Sequence, residues 1–218
     1  MTAIAQAADM LVSAYQNPRR RGVGLMAGVA LAVVLSVIGF LAHGGGVNGA
    51  HFAANLVLFS SSLVFVLYYV SGPLSRLIFT PATQALGAER FALAYGFAGM
   101  MGVFLFSLLA PDFATGGHQP LPTLVYAVVT ALVVAVFLMS AGSKRAAGSA
   151  AMRSLQSLSS GYFWLAFAFT DLDRMVGPHR PDGIFYGLSL SLLVVALLIR
   201  FADAFMERRR AVMSARAA

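Results

Sequence analysis

The chain contains no cysteine. That absence excludes disulfides, thiolate metal sites, iron–sulfur clusters and thiol nucleophiles together. Charge is also scarce. Asp, Glu, Lys and Arg make up 11% of the 218 residues, where a soluble domain carries roughly a quarter. So few charges cannot cover a surface that faces water. The sequence has no phosphate-binding glycine loop, no dinucleotide fingerprint and no nucleophile elbow. It has no internal repeat of the kind seen in inverted-repeat transporters.

What is present is apolar. Hydrophobic residues make up 59% of the chain and the mean hydropathy is +0.81. They fall into six runs, at about 22–42, 52–71, 91–110, 122–141, 155–172 and 184–205. Each is near the ~20 residues that a helix needs to cross a ~30 Å hydrocarbon core. The runs are continuous rather than alternating, which excludes barrel strands. Backbone groups in lipid must be paired within their own segment, which leaves the helix. The expected fold is an all-α integral membrane protein, a six-helix transmembrane bundle with short loops. Residues 1–18 are expected to form an amphipathic segment, with Ile4, Ala8, Leu11 and Tyr15 on one face. The bundle would occupy 19–210, and 211–218 would be a tail. The 155–172 run is the least apolar of the six. Breakers mark the connections, among them Gly44–Gly45–Gly46, Gly72–Pro73, Gly116–Gly117, Pro178 and Pro181.

The basic residues give the orientation. Of fifteen Lys and Arg residues, thirteen fall on one side of a six-span layout. They are Arg19, Arg20, Arg21, Arg76, Arg90, Lys144, Arg145, Arg153, Arg200, Arg208, Arg209, Arg210 and Arg216. The other side holds Arg174 and Arg180, diluted by Asp171, Asp173 and Asp182. Positively charged loops stay in the cytoplasm. Both termini are therefore expected to be cytoplasmic, in a cell (inner) membrane. The net charge of +7 belongs to these flanks and not to a nucleic-acid surface, since no base-stacking aromatics interleave with it. Near the end of the last run, Arg200 and Asp203 are spaced to pair along one helix.

Polar residues inside the runs are the candidates for function. Asn55, Ser62 and Tyr69 share a face at intervals of seven, and Gln156 and Ser160 are one turn apart. Such groups either hydrogen-bond between helices or line a cofactor or quinone pocket. Small residues at Gly24, Gly28, Gly96, Gly99 and Gly102 are expected to let helices approach closely. His43, His51, His118 and His179 all fall at the non-cytoplasmic end, with Asp112 and the three aspartates above. They are candidates for a rim metal site, although their spacing matches no metal motif. No carboxylate pair is expected within the membrane.

Several stretches resemble the ferric-reductase-like transmembrane family, which includes the haem-binding membrane subunit of the periplasmic methionine sulfoxide reductase system. They are Asn55-Leu-Val-Leu-Phe59, Ser71-Gly-Pro-Leu-Ser-Arg76 and Pro81-Ala-Thr83, then Arg90 with Leu93 and Phe97-Ala98, and later Tyr126, Arg153 and Trp164. The resemblance covers 55–110 and 121–200. It implies six helices with both ends inside, and electron transfer through b-type haem held by histidines. Here the sequence departs. The family's histidine positions fall on Met101 and Phe104 in the third run, and close to Gln156 and Gly161 in the fifth. No histidine occurs from 52 to 117 or from 119 to 178, and a mid-membrane haem needs strong axial ligands. The expectation is a haem-less relative with no cofactor and no catalysis, an accessory subunit that packs against lipid and other membrane-protein subunits. The alternative is an electron-transfer protein that binds haem b or quinone through unusual ligands, with His51, Met101, Gln156 and Asn55 as candidates. A second alternative is a small-molecule transporter.

Overall fold

The computed structural model describes residues 18–115, 120–142, 150–176 and 183–217. Among them there are seven helices and no strand. They are α1 (Pro18–Ala42), α2 (Gly46–Leu77), α3 (Pro81–Ala88), α4 (Arg90–Thr115), α5 (Leu121–Gly142), α6 (Ala150–Val176) and α7 (Gly183–Ala217). Each of the six apolar runs lies within one long helix. The expected amphipathic segment at 1–18 lies, apart from its last residue, outside the described residues.

Five stretches are long and apolar enough to cross a membrane: Arg21–Ala42, Gly46–Leu77, Arg90–Leu109, Leu121–Ala141 and Phe185–Met213. The protein is thus an all-helical membrane protein by the length and composition of its helices. α6 is the exception. It carries Gln156, four serines, Asp171, Asp173 and two arginines, yet it packs inside the bundle with the rest.

Contacts along the helices fix their relative directions. Gly39 of α1 lies against Ala53 of α2, and Gly49 against the Phe40 carbonyl, so the two form an antiparallel hairpin. Its turn is made by Gly44, Gly45 and Gly46, all with φ between +67° and +74°, a region costly for any residue with a Cβ. The Gly45 N–H caps α1 by donating to the Phe40 carbonyl at 3.0 Å. α4 runs parallel to α1, with Gly24 on Ala92 and Gly28 on Gly96. α7 runs parallel to α2, joined at Ser62–Ser189 and Arg76–Asp203. α6 is antiparallel to α7: the Trp164 indole N–H donates to the Leu193 carbonyl at 3.0 Å, and Arg174 reaches Tyr186.

α3 occupies a connection for which the sequence predicts no helix. Pro81 opens it, and Thr80 and Thr83 cap each other's backbone N–H. The Gln84 amide ties it to α2 by donating to the Ser75 carbonyl at 2.7 Å. α7 continues as helix to Ala217, through the segment expected to be a tail.

Large apolar side chains stand exposed along α1, α5 and α7, for example Val23, Met26, Leu132, Leu198 and Phe201. A water-soluble monomer rarely exposes so much contiguous apolar surface; lipid accepts it.

Candidate functional site

Three places in the bundle concentrate chemistry: a ring-filled centre, an arginine-rich end and the opposite end.

The centre lies between α2, α4, α5 and α6. Phe65, Tyr68, Tyr69, Phe97, Phe137, Phe163 and Phe167 pack there with centroids 4.9 to 6.3 Å apart. Edge-to-face geometry recurs, as between Phe97 and Phe163 at 4.9 Å and 83°. Met100, Met101 and Phe104 are buried in the same cluster. Met101 and Phe104, the positions where the resemblance implies histidines, are therefore part of a packed apolar core.

The arginine-rich end is arranged around rings and two carboxylates, Asp203 and, 3.5 Å from Arg76 Nε, Glu207. Arg76 Nε donates to Asp203 at 3.1 Å, and a second guanidinium nitrogen bonds the other carboxylate oxygen. This corrects the expected Arg200–Asp203 pair. Asp203 turns across to α2, and Arg200 instead lies 4.2 Å from the centroid of the Tyr69 ring. Arg90 lies over Tyr68 at 5.2 Å, close against Gly72, where a Cβ would sit 3.2 Å from its Nη1. The Gln156 amide donates to the Tyr68 hydroxyl at 2.8 Å. Gln156 therefore acts as a brace between α6 and α2. Ser160, one turn on, is buried with its hydroxyl unpartnered.

At the opposite end the His43 ring stacks on Phe52 at 3.6 Å, and His51 is exposed on α2. His118 and His179 lie outside the described residues. Among the described residues no three His, Asp or Glu side chains come together as a metal site. Asn55 lines a cavity of about 170 Å³ with Phe52, Leu56, Phe59, Phe185 and Tyr186. Below it, Ser62 and Ser189 bond at 3.0 Å. Next to them is a residue that the sequence places at the rim. Asp171 is only 5% exposed because α6 continues to Val176. Ser159, Phe163, Phe167 and Asp171 recur every four residues and are all buried. That periodicity was the available signal for an inward carboxyl.

The glycines expected to pack divide into two groups. A Cβ at Gly24 would meet the Ala92 carbonyl oxygen at 2.6 Å, and one at Gly99 the Leu25 carbonyl oxygen at 2.7 Å. At Gly28 it would collide with the Gly96 backbone, and at Gly96 it would sit 3.3 Å from the Gly24 carbonyl oxygen. Gly102 faces open space, so it does not belong to this seam. Alongside the seam runs an open apolar groove of about 540 Å³, lined by residues such as Val23, Leu31, Leu93 and Met100, with Val64 of α2 contributing to its wall.

Comparison with protein-family models, curated proteins and solved structures finds no match to this chain.

A b-type haem can be tested against these residues directly. The centre offers thioethers, rings and one amide, and both described histidines sit near the α1–α2 turn. This donor set does not fit a porphyrin held between the helices.

Proposed function

We propose that this chain is a non-catalytic accessory subunit of a membrane complex: a six-span bundle with both termini cytoplasmic, derived from a ferric-reductase-like fold without haem. The observation that carries this reading is the ring-filled centre. The space where such a fold would grip a cofactor is taken by Phe65, Phe97, Phe137, Phe163 and Phe167. The Gln156 amide beside it is engaged in bracing, through its bond to Tyr68. The α1–α4 groove leaves an apolar surface for lipid or another membrane helix. The six-span count is supported by the helix directions, with α1, α4 and α6 running against α2 and α7, and by α6 packing among the five apolar spans.

The test is purification in mild detergent, with an absorption spectrum before and after reduction and native mass spectrometry of the assembly. The expected result is a colourless protein within a larger complex of fixed stoichiometry. A reduced b-haem band would replace this reading with electron transfer, and a protein that is monomeric throughout would remove the subunit role. The lack of cysteine makes topology directly testable. A single cysteine at Gly44 should react with an impermeant maleimide from outside, and one at Phe79 should not.

A further inference from the structure

We propose that Asp171 is a proton-binding site within the bundle, and that the Ser189 and Ser62 hydroxyls form a hydrogen-bond chain whose direction follows its protonation. A carboxyl 95% shielded from solvent inside an apolar bundle needs a partner or a proton. One of its oxygens, Oδ2, is buried with no hydrogen-bond partner. The nearest cation does not supply one. Arg174, one turn further along α6, donates to the Tyr186 hydroxyl at 3.0 Å and lies 5.3 Å from that ring's centroid. Among the described residues no ion pair joins Arg174 to Asp171.

The hydrogens can be counted along the chain. The Ser62 hydroxyl donates to the Phe59 carbonyl at 2.7 Å, which uses its only hydrogen. The Ser62–Ser189 bond at 3.0 Å must then take its hydrogen from Ser189. Ser189, which faces Asp171, is left with lone pairs to offer. Two acceptors oppose each other unless Asp171 carries the hydrogen. With a proton on Asp171 every donor points one way: Asp171 to Ser189, Ser189 to Ser62, Ser62 to the Phe59 carbonyl. When the proton leaves to water, Ser189 turns to donate to the carboxylate and Ser62 turns to donate to Ser189. The Phe59 carbonyl then keeps only its helix bond. One proton is bound or released, the hydrogen bonds reverse, and no other covalent bond changes. The chain ends at a carbonyl, so it stores a proton and does not conduct one across the membrane.

Among the described residues, no charged group on the neighbouring helices acts on this carboxyl, apart from Arg174 on its own helix. α7 contributes Tyr186, which is held by Arg174, and Ser189. α2 carries no charged residue before Arg76. α5 carries none at all, and its Thr130 is bonded to Tyr162. Asp173 is on the same helix but exposed.

The test is infrared difference spectroscopy of the full chain in lipid nanodiscs across a pH titration. Wild type should show a protonated-carboxyl band at about pH 5, above the ordinary aspartate range, that disappears on alkalinisation. Asp171→Asn should lack that band at every pH. Ser189→Ala should shift the band without removing it, because the acceptor of the carboxyl hydrogen is gone. If wild type has no such band at about pH 5, Asp171 is ionised there and the proposal fails. It also fails if the band persists in Asp171→Asn. Should that variant not fold, an unshifted band in Ser189→Ala would overturn the proposal on its own.

Discussion

The seam between α1 and α4 and the ring cluster between α2, α4, α5 and α6 meet along α4, but they are built on opposite principles. At the seam the backbones themselves touch, and there is no side chain to move aside. At Gly24, Gly28 and Gly99 a Cβ would meet backbone atoms. In the ring cluster, backbones are held apart by side-chain volume, and Phe65, Phe97 and Phe137 are completely buried. In lipid the hydrophobic effect does not drive helices together, so association rests on close packing and hydrogen bonds. One region reaches close packing by removing side chains and the other by filling space with rings. The seam should therefore be intolerant of addition and the cluster intolerant of deletion.

The largest expected effect is at the seam. Gly28→Ala adds one carbon directly against the Gly96 carbonyl, and relief requires the helices to separate. Folded, monodisperse protein should be lost on size exclusion, and Gly99→Leu should behave likewise. Wild-type yield and melting temperature for both would break the distinction between the two regions. Next is deletion from the cluster: Phe97→Ala should cost about 3–5 kcal/mol, measured by thermal unfolding in detergent. The arginine-rich end sharpens the comparison, because there a charge is held by hydrogen bonds. Asp203 is buried while Arg76 is about half exposed, at 7% and 48% by side chain. Arg76→Gln should cost about 1–2 kcal/mol after allowance for that exposure, and adding Asp203→Asn should recover part of it in a double-mutant cycle. The smallest effect is the same chemical change that is ruinous at Gly28. Gly102→Ala meets nothing and removes a helix-weakening glycine, so it should raise stability by about 0.5–1 kcal/mol.

The contrast between Gly28 and Gly102 also marks what the sequence could reveal. Gly24 and Gly28 are four apart, and four residues return a helix nearly to the same face at about 100° per residue. Gly96, Gly99 and Gly102 are spaced by three, and each step turns the face back by about 60°. By Gly102 the drift is about 120°, which carries it off the seam. The spacing looked like one stripe, but the helix does not hold it as one. Asp171 was misplaced for the converse reason. Its position close to Asp173, Arg174 and two prolines resembles a loop margin, whereas its step of four from Phe167 places it on the buried face. Arg200 and Asp203 were correctly spaced to pair, but spacing within one helix cannot reveal that Arg76 of α2 lies nearer to the carboxylate. The inward placement of Ser62, Tyr69 and Gln156 was legible from periodicity. Their partners, Ser189 and Tyr68, were not.

The residues alone determined that this chain is helical and that at least five of its helices suit a bilayer. Those properties follow from the length of apolar runs and from the need to pair every backbone group locally in lipid. They also determined where the chain must turn, because three successive glycines at positive φ can form the tight connection between α1 and α2. Tertiary structure decided which polar groups meet, which glycines are in contact and which carboxyl is enclosed. Those outcomes depend on how each helix is rotated and which neighbour faces it, and in a bundle that choice is made by all the helices packing together.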